Sequence, residues 1–190
     1  MLNESSLPFQ TGKEACTLNI LAISGSLRVN SSNTTLLRAV SKLAPPGTEV
    51  TIYEGIGELP HFNPDLDGEE PPAAVQDWRR ELQAADGVII CTPEYANGVP
   101  GVLKNALDWI VSSGEFLDKP TAVISASPLQ TGGANAHASL LLTLVMMTAK
   151  IKGKLLVPLV NKKINTEGTI TDAALRQEVE TLFGQMLAKS

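Results

Sequence analysis

Five apolar runs of strand length, each leading into a stretch with helical spacing, constrain this chain more than any other feature. "TLNILAIS" (17–24) precedes "NTTLLRAVSKLA" (33–44), where Leu36, Leu37, Val40 and Leu43 recur at the spacing of a helix face. "EVTIYE" (49–54) precedes "PAAVQDWRRELQAA" (72–85), and "GVIICT" (87–92) precedes a helix expected to begin near Pro100. "TAVISAS" (121–127) is followed by a helix read over 134–150. "KLLVPLV" (154–160) is read as the fifth strand, ahead of a last helix with Thr171 or Asp172 as N-cap. Strands this uniformly apolar need cover on both faces, and alternating β and α units build a parallel sheet with right-handed crossovers. The expected fold is therefore α/β, a flavodoxin-like doubly wound five-stranded parallel sheet of strand order 2-1-3-4-5. It should occupy residues 17–190 as a single domain, with residues 1–16 as a loosely held tail.

Charge and composition narrow the function. Fifteen basic against twenty acidic residues leave a net charge of −5, which offers no general attraction to nucleic acid or to an anionic membrane surface. No run reaches the roughly 18 apolar residues that span a bilayer. The opening "MLNESSLPFQTGKEAC" has no basic head followed by an apolar block, so neither a membrane anchor nor a signal peptide is expected and the location expected is cytoplasmic. Cys16 and Cys91 read as small hydrophobes beside strands. With His61 and His137 far apart, no metal site is expected.

In such a sheet a ligand lies at the carboxyl ends of the strands, where the order switches between strands one and three. After strand one comes "SGSLRVNSSN" (24–33), almost entirely small, hydroxylic or amidic, with one arginine. Ser26, Ser31 and Ser32 can donate hydroxyl hydrogen bonds. A helix starting near Asn33 aims free N–H groups at an anion, and Arg28 adds a planar charged fork. The loop lacks both G-x-x-x-x-G-K-[ST] and G-x-G-x-x-G, so a phosphomonoester fits better than a nucleoside triphosphate or a dinucleotide. After strand three, "TPEYANGVPGVLKNALDW" (92–109) turns over Pro93, Gly98, Pro100 and Gly101. The two glycines let backbone approach a flat ligand closely. Leu103, Leu107 and Trp109 read as a packing face, with Asp108 as a surface charge.

"GSLRxxSxN" together with "TPEYxxxxPGxLKNAxDW" resembles the NADPH-dependent FMN reductase family, a flavodoxin-like group of quinone, chromate and azo-dye reductases. "LPHFNPDLD" (59–67) and "SASPLQTGG" (125–133) extend the likeness over roughly residues 20–142. The resemblance implies an oxidoreductase with FMN as cofactor and NADPH or NADH as co-substrate. Residues Ser26 to Asn33 would hold the phosphate, Pro93, Glu94, Tyr95, Ala96 and Asn97 would line the ribityl chain and ring edge, and Ser127, Gly132 and Gly133 would form a third wall. It implies no catalytic side chain, since bound flavin is the redox centre, and ping-pong exchange with a small oxidised acceptor at one ring face. It implies a homodimer or homotetramer, with a neighbour walling the site near Trp109 and Phe116. Many members carry asparagine where this chain has Ala96, and arginine where it has Asn135. A flavodoxin-type electron carrier is the alternative. Arg28 and the modest net charge weigh against it, and a response-regulator module would need acidic residues where Ser24-Gly25 and Thr92-Pro93 stand.

Overall fold

The computed structural model describes residues 17–165 and 167–188, so the proposed N-terminal tail and Cys16 lie outside the described residues. Five parallel strands, β1 (Leu18–Ser24), β2 (Thr48–Tyr53), β3 (Gly87–Thr92), β4 (Pro120–Ala126) and β5 (Lys150–Val157), form one sheet in the order β2-β1-β3-β4-β5. The helices are α1 (Ser32–Ser41), α2 (Ala73–Ala84), α3 (Gly101–Asp108), α4 (Ala134–Met146) and α5 (Ala173–Leu187). This is the flavodoxin-like arrangement expected from the alternation of apolar runs.

The pleat divides the core in two. Ile20 and Ala22 of β1, Ile89 and Cys91 of β3, and Ala122 and Ile124 of β4 join α1 and α5 on one face. Leu21, Ile23, Val88, Ile90 and Val123 alternate with them and join α2, α3 and α4 on the other. Such period-two sorting is why the central strands read as continuous apolar runs. Cys91 is fully buried, and burial pushes its thiol well above its usual range, so it packs as a hydrophobe.

Two boundaries differ from expectation. The helix read over 134–150 stops at Met146, because Thr148 takes a left-handed φ of 61° and its N–H returns to Val145 O at 3.0 Å. Strand β5 then spans 150–157 rather than 154–160, and Pro158 lies beyond it. Lys150, Lys152 and Lys154 alternate along this edge strand, a composition that protects a sheet edge and hides the strand from a search for apolar runs. Gly153 adds to the disguise, yet a Cβ there would sit 3.0 Å from Leu182 Cγ of α5.

Asp172 caps α5, accepting from Leu175 N at 2.7 Å. Leu103, Leu107 and Trp109 are buried as read, and Lys104 pairs with Asp108 one helical turn away at 2.5 Å. Trp109 and Phe116, near which a neighbour was expected to wall the site, are both completely buried within the subunit and offer no side-chain surface of their own. Trp109 Nε1 donates to Pro60 O at 2.8 Å, and its ring meets Phe62 edge-on at 5.1 Å. The long connection after β2 needs that tether. Asn105 completes it with both ends of its amide, accepting from Phe62 N at 2.8 Å and donating to Pro60 O at 2.9 Å. Farther on, Asp67 accepts from Arg79 at 2.6 Å and from Ser112 Oγ at 2.7 Å. Burial raises the Asp67 carboxyl, but these bonds outweigh it and leave the group below the usual carboxylate range. Asn105→Ala should lower stability by about 1–2 kcal/mol, because Phe62 N loses its partner and Pro60 O keeps only Trp109. A urea midpoint unchanged by the substitution would contradict this role.

Candidate functional site

The loops after β1, β3 and β4 meet at the carboxyl end of the sheet, where the order switches. In the first loop, Gly25 N donates to Cys91 O at 2.8 Å and Arg28 N to Ser26 Oγ at 3.4 Å. Among the described residues no other amide from 25 to 32 has a partner, and Asn33 N, in the first helical turn, has no carbonyl within α1. Ser31 is the α1 N-cap, its Oγ accepting from Thr34 N at 3.3 Å, so its hydroxyl proton is still available. The Arg28 side chain is exposed with no partner among the described residues, and Ser32 is half-buried. Free amides, hydroxyls and an unpaired guanidinium at a helix start are the donor set of a phosphate cradle.

Asn33 can offer such a cradle only its backbone. Its buried side chain donates to Ala126 O at 3.1 Å and accepts from Cys91 Sγ at 3.4 Å, tying α1 to β3 and β4. Ser127 similarly braces its own loop, accepting from Leu129 N at 3.1 Å.

The loop after β3 folds into a tight hairpin, where only an open Pro/Gly turn was expected. Tyr95 N donates to Gly98 O at 3.1 Å and Gly98 N to Tyr95 O at 3.0 Å, closing a two-residue hairpin. Both central residues have positive φ, 49° at Ala96 and 59° at Asn97, the signature of a type I′ turn. The "NG" dipeptide carried the signal, one position out of register. Position 96 thus favours asparagine for backbone reasons, and alanine there accepts strain. Tyr95 Oη reaches Ser26 Oγ at 3.4 Å and bridges the two rims. Pro93 is buried, its carbonyl accepting from Thr92 Oγ1 at 2.9 Å.

The glycines separate into two kinds. Gly132 and Gly133 have φ of 61° and 81°, and a Cβ on Gly132 would lie 3.2 Å from Pro158 N, so the backbone itself demands them. Gly98 and Gly101 have no positive φ. A Cβ on Gly98 would meet only Tyr95 O at 3.9 Å, and one on Gly101 nothing within 4 Å. Open space beside glycines that the fold does not require is what a closely approaching planar ligand needs. The residues present therefore fit an FMN: phosphate donors after β1 and bare backbone after β3.

Glu94 and Asn135 meet where the third loop joins. Glu94 Oε2 accepts from Asn135 N at 2.8 Å and Ala136 N at 3.0 Å, and Asn135 Nδ2 donates to Asn97 Oδ1 at 3.4 Å. One turn into α4, His137 is buried and its Nδ1 has no partner among the described residues. Burial first, and then the charge of Lys154, hold its pKa below the usual histidine value. Below about pH 6.5 the unfolded chain gains a proton here that the folded chain resists, so this contribution to stability is full above that pH and falls as pH drops through it. His137→Leu should lose less stability than the parent between pH 8 and pH 5.5 by urea titration.

Residues 18–162 match the family described as NADPH-dependent FMN reductase. A quinone reductase of Pseudomonas putida is 40% identical over 134 residues, 68% of this chain and 70% of the relative. An NAD(P)H-dependent FMN reductase of Pseudomonas aeruginosa is 33% identical over 167 residues, 86% of this chain and 90% of the relative. Among solved structures, the flavoenzyme NAD(P)H:(acceptor) oxidoreductase FerB of Paracoccus denitrificans superposes with a TM-score of 0.75 at 29% identity, covering 90% of this chain and 97% of that one. These likenesses favour a reductase over an electron carrier. With its sheet order, the donor-rich loop after β1 and the open glycines beyond β3, the chain belongs to the NADPH-dependent FMN reductase family of flavin-dependent oxidoreductases.

Proposed function

We propose that this chain oxidises NAD(P)H and passes the electrons to a small oxidised acceptor of the quinone class, the two substrates using one open site in turn. The observation that carries the reading is the pair of loops at the β1/β3 switch point. One offers amides and a guanidinium without partners, and the other presents bare backbone at Gly98 and Gly101. FMN held there would supply the redox chemistry that links nicotinamide oxidation to reduction of the acceptor. Ser26, Ser31, Ser32 and Arg28 hold the phosphate, with the backbone amides of that loop. Pro93 to Asn97 shape the ring edge, and the absence of side chains at 98 and 101 leaves room for a flat substrate. Ser127, Gly132 and Gly133 form the third wall by bracing the loop after β4. No residue need act as acid or base. An absorbance spectrum followed by anaerobic titration with NADPH and NADH tests the reading. A protein that is colourless and fails to quench added FMN fluorescence would overturn it, as would bound flavin that neither nicotinamide reduces.

The assembly proposed is a homodimer built on α4. Its outer face carries Leu142, Val145 and Met146, exposed by 74%, 62% and 60%, and residues 134–149 include no charged side chain. A neutral apolar face suits a second copy of itself across a two-fold axis. Light scattering should give twice the 20.1 kDa of one chain, and Val145→Asp should shift the particle toward the monomer. A fully active particle of 20.1 kDa would refute the dimer.

A further inference from the structure

Glu94 stands where the rim after β3 meets the rim after β4. Helix α4 begins without a cap of its own: its N-cap is Gly133, in the left-handed region, with no side chain to offer. The missing acceptor comes from the neighbouring loop, since Glu94 Oε2 takes both the Asn135 and the Ala136 N–H, at 2.8 and 3.0 Å. A carboxylate at the positive end of a helix dipole is a favourable cap. A Cβ on Gly133 would lie only in ordinary contact with Glu94 Cβ at 3.6 Å and Ser125 Cβ at 3.5 Å, so the left-handed φ of 81°, not crowding, is what calls for glycine there. Two residues later the chain holds Ala96 and Asn97 consecutively at positive φ. That conformation costs about 1–2 kcal/mol at a residue such as alanine and persists only where the surroundings impose it. One restraint lies two residues before the strained pair and the other on its second residue. Glu94 is pinned to α4 at the entry, and Asn97 is linked to Asn135 of the same helix turn at 3.4 Å.

From this geometry we infer that Glu94 is a positioning residue: through α4 it fixes the 94–98 backbone for the flavin edge, and it is not itself a ligand of the cofactor. The inference rests on the FMN reading above. Its first test is amide hydrogen exchange on the flavin-free full chain, where Asn135 and Ala136 should be protected although first-turn amides have no partner within the helix. Glu94→Ala should expose both amides. It should also weaken FMN and riboflavin by the same factor, about ten- to a hundredfold in fluorescence-quenching titrations, because the clamp acts on the ring loop and not on the phosphate. Glu94→Gln keeps the reach and one acceptor oxygen, so it should restore most of the protection and affinity. Glu94→Asp is one methylene short and should not, and this pair carries the test if the alanine variant fails to fold. Affinities unchanged in Glu94→Ala and Glu94→Asp would overturn the inference. So would a Glu94→Gln variant that keeps the amide protection but binds flavin as weakly as Glu94→Ala, because that outcome places the charge on the cofactor. Failure of the FMN reading itself is distinguishable, since the parent protein would then bind neither flavin.

Discussion

Arg28→Ala is expected to weaken FMN binding about tenfold to a hundredfold while leaving riboflavin close to its parent affinity. The asymmetry follows from where the charge sits. Arg28 lies in the loop that leads into α1, its side chain exposed and unpaired among the described residues, so its removal leaves no buried partner stranded and should cost little stability. What it removes is a charge-assisted bond to phosphate, worth about 1.5–3 kcal/mol, and riboflavin has no phosphate to lose. The amides after β1 and the α1 N-terminus remain in the variant, so FMN should still bind measurably. Fluorescence titration with both flavins separates the cases. Equal losses for the two would take Arg28 off the phosphate, and an unchanged FMN affinity would leave the cradle to backbone and serines alone.

The sheet was legible because its three central strands are apolar and buried on both faces, β2 alternates along one edge, and the connecting helices keep their spacing. The fifth strand was misplaced by four residues at its start, since an edge strand is under pressure to carry lysines, and Gly153 answers to Leu182 rather than to any strand preference. At the site, residue types pointed to the right loops but not to how each side chain is used. Asn33 reads as a polar loop residue, yet its side chain is buried among β3, β4 and α1. Asn105 sits in a motif of the resemblance, and its amide ends on the connection after β2, more than forty positions away in sequence. Glu94 serves as a cap for a helix that begins forty residues later. Each of these bonds joins segments remote along the chain, and local periodicity carries no information about them. Turn chemistry is different, because "ANG" did hold the hairpin signal and only its register needed coordinates.

The same hairpin yields the sharpest test of how substrates use the site. Gly98 closes the turn through two backbone bonds to Tyr95 and has no positive φ, so the backbone tolerates any side chain there. A Cβ would find nothing nearer than Tyr95 O at 3.9 Å. Gly98→Trp should therefore fold, and although it should weaken FMN, the phosphate donors of the other loop should keep the flavin bound at saturating concentration, where the half-reactions are read. An indole at this position would fill the space beside the ring edge, and misplacement of a reactant by about an ångström already costs on the order of a hundredfold in rate. If nicotinamide and acceptor take turns in one space, anaerobic stopped-flow should show both half-reactions slowed by about that factor. The parent enzyme should give parallel double-reciprocal lines when the two substrates are varied. Slowing of only one half-reaction, or lines that intersect, would mean two separate binding places and would replace the shared-site reading with a ternary complex.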